Sequence, residues 1–226
     1  MREYGAVPYA ALRLLLKALM RLLWRVRVEG LENVPRSGGF LLASNHLSFI
    51  DSLVIPVLVP RRVAFLAKAE YFEGRGLRGL LTRGWFVALG AVPVRRGSHG
   101  EAMASLQLAL HVLRDGDGFG IYPEGTRSRD GRLYRGRTGV AWLALASGAP
   151  VVPVGVIGTD RVQPVGARFP RIAPVTVRFG PPLSPDRYQS LPAGAARRRM
   201  TDDVMAAIAD LSGQAVAPVY APTSPQ

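Results

Sequence analysis

Residues 138–159 read TGVAWLALASGAPVVPVGVIGT, a run without one charged side chain. It is long enough to consider as a membrane span. Its punctuation argues against that reading. Gly139, Gly148, Pro150, Pro153, Gly155 and Gly158 interrupt it too often for one continuous apolar helix. A buried helix over 138–147, a turn, and a buried strand over 151–157 account for the same residues.

The pattern continues in both directions. Upstream, a strand over 118–122 runs into Pro123-Glu124-Gly125-Thr126-Arg127, and residues 101–114 form an amphipathic helix. Further strands are expected over 39–43 and 62–67 and in the apolar stretch 84–94, with a helix beginning near Ser48. Downstream come a strand over 175–179 and a helix over 201–211. Strands alternating with helices indicate an α/β domain with a mixed, largely parallel sheet flanked by helices. No internal repeat or linker divides it. We expect an N-terminal helix within 1–27, a core domain over 28–213 and a loosely held, Pro-rich tail over 214–226.

Residues 9–26 read as that first helix. Arg13, Lys17, Arg21 and Arg25 recur every four residues and form a drifting basic stripe, with leucines and Trp24 filling the rest. A wide apolar face beside a basic edge describes an amphipathic helix lying on a membrane surface. Basic residues interrupt the apolar stretch and no cleavage site follows, so no signal peptide is expected.

The formal net charge is +13. Such an excess favours anionic partners: phosphorylated substrate, anionic lipid or nucleic acid. Every basic residue except Lys17 and Lys68 is an arginine. The absence of cysteine removes disulfides, thiolate metal sites and a cysteine nucleophile. No G-x-S-x-G or Walker A sequence is present, and His46, His99 and His111 are too dispersed for a metal motif. Gly74-Arg75-Gly76-Leu77-Arg78-Gly79 matches G-x-G-x-x-G. Arginines stand where a dinucleotide site needs a downstream acid, so it reads as a loop.

Three clusters carry chemistry. In Asn45-His46-Leu47-Ser48-Phe49-Ile50-Asp51, a regular helix would place His46 and Asp51 about 140° apart around its axis. They meet if His46 precedes a helix that Ser48 caps, because Asp51 then reaches back as in a capping box. Asp51 would accept the Nδ1–H of His46 and leave Nε2 free to take a proton. This is a Ser-His-Asp triad without its serine, so the substrate would supply the hydroxyl. The second cluster, Pro93-Val94-Arg95-Arg96-Gly97, and the third, Tyr122 to Arg129, each follow an apolar strand. Arginine loops at strand ends suit a phosphorylated ligand, and Gly125 allows backbone to approach it closely.

In order and spacing these clusters, with Val152-Pro153-Val154, resemble the 1-acyl-sn-glycerol-3-phosphate acyltransferase family of glycerolipid acyltransferases. Ala67-Lys68-Ala69-Glu70 and Phe179-Gly180-Pro181-Pro182-Leu183 share the resemblance, which runs from about Val28 to Leu183. The resemblance implies His46 as general base, Asp51 as its orienting acid, and Arg96, Glu124, Gly125, Thr126 and Arg127 around the acceptor phosphate. Arg95 stands where many relatives carry an acid, so the register of Arg95 and Arg96 stays open, with Arg96 favoured. Also implied are a mixed sheet flanked by helices and a thioester donor, acyl-CoA or acyl carrier protein, with no metal or other cofactor. The expected acceptor is lysophosphatidic acid, at the cytoplasmic face of the cell membrane. Glycerol 3-phosphate, another lysophospholipid or an aminolipid are alternative acceptors. A non-catalytic basic module binding lipid or nucleic acid is the alternative of another class. Basic residues interleaved with exposed aromatics, or a recognised reading motif, would mark a nucleic-acid binder, and neither is present.

Overall fold

The computed structural model describes residues 6–68, 74, 76, 79, 91–94, 99–167 and 169–222. Strand β2 (Phe40–Ser44), wholly buried, lies near the middle of a seven-stranded sheet. It pairs in parallel with β5 (Gly118–Ile121) on one side and β7 (Val151–Ile157) on the other. Beyond β5 follow β3 (Val63–Lys68) and β4 (Ala91–Val94), both parallel. Beyond β7 comes β8 (Thr176–Phe179), antiparallel to it, and then β1 (Arg27–Glu29), parallel to β8. The sheet is therefore mixed and largely parallel, as the alternation of elements predicts. Strand β7 has the bounds read from the sequence.

Side-chain alternation along the strands fills two cores. Phe40, Leu42, Val152, Val154 and Val156 point to one face, where α1 (Ala6–Trp24) and α2 (Asp51–Leu58) cover them. Leu41, Ala43, Phe119 and Val151 point to the other. That face is covered by α3 (His99–Arg114), α4 (Gly139–Ser147) and α6 (Ala193–Ser212). Between β7 and β8 lies the short α5 (Thr159–Val162). Two glycines of β5 are dictated by packing. A Cβ on Gly118 would overlap the Phe40 ring, and one on Gly120 the Phe65 ring, each opposite in register. Pro153 keeps its place inside a buried strand because its carbonyl faces Gly180, from whose N–H it accepts at 2.8 Å. The position falls between the Val151–Leu183 bridge and the regular β7–β8 ladder that starts at Val154, and this one-sided pairing tolerates the missing N–H.

Helix α1 buries Leu16, Met20 and Trp24 and exposes Leu14, Leu15, Leu19 and Leu22. Its basic stripe is split. Arg13 turns inward and donates from Nε to the Val57 carbonyl at 3.1 Å, whereas Arg21 is exposed and Arg25, also exposed, falls just past the helix end, where φ is 43°. Helix α6 begins two turns before the expected 201, because Ala196 and Met200 already face the core. Among the described residues no helix is long and apolar enough to cross a membrane.

The segment after α6 departs from the loosely held tail expected. Strand β9 (Val216–Ala217) pairs in parallel with β6 (Leu133–Tyr134) as a second, two-stranded sheet. Two further bonds, Leu133 N–H to Ala215 O and Arg135 N–H to Val219 O, both 2.9 Å, extend the ladder. Ala217 and Ala221 are buried with Tyr134.

Candidate active site

Because β2, β5 and β7 run in parallel, their carboxyl ends deliver Asn45, Tyr122 and Gly158 to one edge of the sheet, where open α/β folds place ligands. Asn45 prolongs the β2–β7 ladder with its side chain. Its Oδ1 accepts from Val156 N–H and its Nδ2 donates to Val156 O, both at 2.8 Å. The next residue, His46, is thereby held at the strand's mouth.

The chain then makes tight turns before α2. Asp51 and Ser52 donate to carbonyls three residues back, those of Ser48 and Phe49. The regular helix starts at Asp51, three residues later than the sequence suggests, and the box is half formed. Ser48 Oγ accepts from Ile50 N–H at 3.3 Å rather than from Asp51. The other half is present, since Asp51 reaches back and its Oδ2 accepts from Ser48 N–H at 2.8 Å and Leu47 N–H at 2.7 Å. The same oxygen accepts from His46 Nδ1 at 2.9 Å. Asp51 is fully buried. Pairing with a carboxylate puts the ring proton on Nδ1, so Nε2 carries the lone pair. The His46 side chain remains 16% exposed, accessible at the sheet edge.

Tyr122 fixes the imidazole plane. The two rings stack at 3.8 Å with 9° between their planes, and the Tyr122 hydroxyl bonds Ser52 Oγ at 2.8 Å. Burial and then the charge of Asp51 raise the phenol pKa well above its ordinary value, with the Ser52 bond partly opposing them. Tyr122 therefore acts as a neutral plate.

Glu124 sits beneath its loop rather than lining it. It is buried, its Oε1 accepts from His46 N–H at 3.1 Å and its Oε2 from Tyr134 N–H at 2.9 Å. A second tie runs from Ser128 N–H to His46 O at 2.7 Å. The carboxylate thus clamps the histidine loop to the 122–128 loop, a different job from the ligand contact expected of it. Burial raises its pKa to about 7 against the pull of the two N–H groups, with Asp51 and Asp130 adding to the rise.

Gly125 adopts φ 78°, a conformation that favours glycine. A Cβ there would also press on Arg137 Nε at 2.9 Å. Gly125 and Arg127 are exposed and Thr126 is half-buried, so these three line the surface beside His46. Arg95 and Arg96 lie outside the described residues; β4 ends immediately before them at Val94. Among the described residues no cluster of His, Asp and Glu could hold a metal ion.

The arrangement offers a basic nitrogen with its orienting carboxylate and, beside it, an exposed arginine on the 122–128 loop. It can accept a proton from a hydroxyl whose molecule also carries an anionic group. The sequence reading missed Tyr122 as the stacking partner, Ser52, Gln214, which accepts from Asn45 Nδ2 at 2.7 Å, and Arg137. The aromatic next to Pro123 was a signal for the first. The others depend on long-range contacts that no local pattern announces.

Comparison with known proteins agrees with this architecture. The chain is 31% identical to the chloroplastic 1-acyl-sn-glycerol-3-phosphate acyltransferase LPAT1 of Arabidopsis thaliana over 146 residues, which is 64% of this chain and 39% of that protein. It thus spans well under half the length of that plant relative. With the 1-acyl-sn-glycerol-3-phosphate acyltransferase of Bacillus subtilis it is 27% identical over 201 residues, 88% of this chain and 94% of that one. The crystal structure of the 1-acyl-sn-glycerophosphate acyltransferase PlsC from Thermotoga maritima superposes with a TM-score of 0.71 at 26% identity, covering 90% of this chain and 79% of that one. The family model described as Acyltransferase matches residues 25–157, which hold the His46–Asp51 pair and the Glu124–Arg127 loop, and the chain therefore belongs to the acyltransferase family.

Proposed function

We propose that this chain transfers a fatty acyl group from an acyl thioester, acyl-CoA or acyl carrier protein, to the free hydroxyl of lysophosphatidic acid, giving phosphatidic acid. The observation that carries the reading is the His46–Asp51 pair, oriented and accessible, beside the loop that presents Arg127. His46 Nε2 takes the hydroxyl proton as the oxygen attacks the thioester carbonyl. When the tetrahedral intermediate collapses, the C–S bond breaks and the thiolate recovers that proton from His46 as free thiol. Asp51 keeps the ring in the required tautomer and stabilises the imidazolium that forms transiently. Arg127 and Arg96 offer planar forks to the acceptor phosphate.

The acceptor and product are lipids, so the site works at the membrane surface, at its cytoplasmic face. Helix α1 supports this. Its outward face carries Leu14, Leu15, Leu19 and Leu22, from 46% to 76% exposed, with the exposed Arg21 on the helix and the exposed Arg25 just past its end. Apolar side chains beside cations suit an interfacial helix, with each cation near an anionic surface adding about 1 kcal/mol. Purified protein assayed with both donor types against lysophosphatidic acid, glycerol 3-phosphate and a neutral lysolipid tests the reading. Thiol release dependent on lysophosphatidic acid is expected. Release dependent on the neutral acceptor alone would overturn the acceptor assignment, and none with any acceptor would overturn the activity.

A further inference from the structure

The strap formed by residues 214–221 crosses the loops of the active site. It is fixed at its start by Gln214, whose Oε1 accepts from Asn45 Nδ2 at 2.7 Å and whose Nε2 donates to Gly131 O at 2.8 Å. Its middle pairs with β6, whose Tyr134 N–H holds Glu124 and through it the His46 backbone. Near its end, the Tyr220 ring lies 5.3 Å from the Arg135 guanidinium and 5.7 Å from that of Arg137. Arg137 is doubly tied to the 122–128 loop. Its N–H donates to Pro123 O at 2.8 Å, and its side chain runs against Gly125, filling the space a Cβ would need. It is nevertheless exposed, as are Arg127, two residues beyond Gly125, and Tyr220 itself.

We infer that Arg137 is a further residue binding the acceptor's phosphate monoester, and that Tyr220 on the strap is the positioning residue that holds it over Gly125. This inference rests on the proposed function for its substrate. A free arginine side chain samples many rotamers, and an aromatic face beside the guanidinium narrows them before the anion arrives. The Tyr220 hydroxyl contributes little, since its contact is a long 3.4 Å one from Arg198 Nη1. The ring is what matters.

Steady-state kinetics on the full chain, with lysophosphatidic acid varied at saturating acyl-CoA, would compare Tyr220→Ala, Tyr220→Phe, Arg137→Ala and the Tyr220→Ala/Arg137→Ala double variant. Tyr220→Ala should raise acceptor KM about two- to fivefold, the range of an exposed cation–π contact, with kcat within about twofold. Arg137→Ala should raise it more, about tenfold, for a lost charged hydrogen bond. Tyr220→Phe should match wild type, and the double variant should be no worse than Arg137→Ala alone. An unchanged KM in Tyr220→Ala, a loss confined to kcat, a Phe variant behaving like Ala, or additive effects in the double variant would each overturn the inference. Binding of glycerol 3-phosphate, followed by calorimetry on the same proteins, separates the two claims. Wild type that binds it but never turns over sinks the proposed function and leaves the positioning testable by Kd. Wild type that turns over with Kd and KM insensitive to both substitutions sinks only the inference.

Discussion

Replacing Glu124 by glutamine removes a titratable group without changing its shape, and the structure fixes the consequence for stability. Both carboxylate oxygens accept backbone N–H groups, from His46 and Tyr134, yet burial dominates and lifts the pKa from 4.5 to about 7. A carboxyl that binds its proton more tightly in the folded chain than in the unfolded one adds stability below pH 4.5. That contribution is lost as pH rises through 7. The shift corresponds to about 3 kcal/mol between those limits. The glutamine variant lacks this titration. It carries instead a pH-independent cost of about 1–3 kcal/mol, because its amide NH₂ must face one of the two N–H donors. Urea unfolding of both proteins from pH 4.5 to 8 gives the difference in stability at each pH, and the other titrating groups largely cancel in it. Wild type should lose about 3 kcal/mol relative to Glu124→Gln across the range, most of it between pH 5 and 7.5. A difference that stays flat with pH, or one that moves in favour of wild type as pH rises, would refute the assignment of Glu124 as a buried group dominated by desolvation.

Gly120→Ala should lower stability by about 1–3 kcal/mol, read as a shift in the urea midpoint with unchanged slope, because the new methyl overlaps the Phe65 ring. Changing Leu15, Leu19 and Leu22 to serine together should leave the thermal midpoint within a few degrees of wild type, since all three are exposed. Co-sedimentation with anionic vesicles should fall. This is a cleaner test than deleting α1, which would remove Leu16, Met20 and Trp24 from the core. Asp51→Asn should slow transfer with little change in KM, measured as kcat under saturating substrates, because an amide disturbs the Nδ1–H tautomer and its orientation.

The parts of this protein legible in its sequence are those whose determinants are local. Pro150 and Gly158 bound strand β7 and its valines form a β-branched run, so the sequence predicts its span. The His46–Asp51 contact was legible because five residues and a turn suffice to close it. Helix α6 is longer than its sequence suggests because its first two turns are dominated by alanine and arginine. Ala196 and Met200 carry their buried face too sparsely to announce a period. In the sequence the strap resembles a loose tail because of its prolines and small residues; its order comes from partners such as Leu133, Gly131 and Asn45, far away along the chain. Glu124 was legible as part of a motif but not in its job. Whether a carboxylate faces a ligand or the backbone beneath it is decided by how two loops pack together, and no spacing within either loop encodes that.

In the proposed reaction His46 takes the proton of the acceptor hydroxyl. The most direct test is the rate of thiol release from acyl-CoA by His46→Ala in the presence of lysophosphatidic acid, on protein whose circular dichroism and thermal midpoint match wild type. A fall in kcat of about 10²–10⁴-fold is expected with the acceptor KM little changed, since general-base catalysis is lost while the 122–128 loop remains. Turnover by His46→Ala within a few-fold of wild type would contradict it.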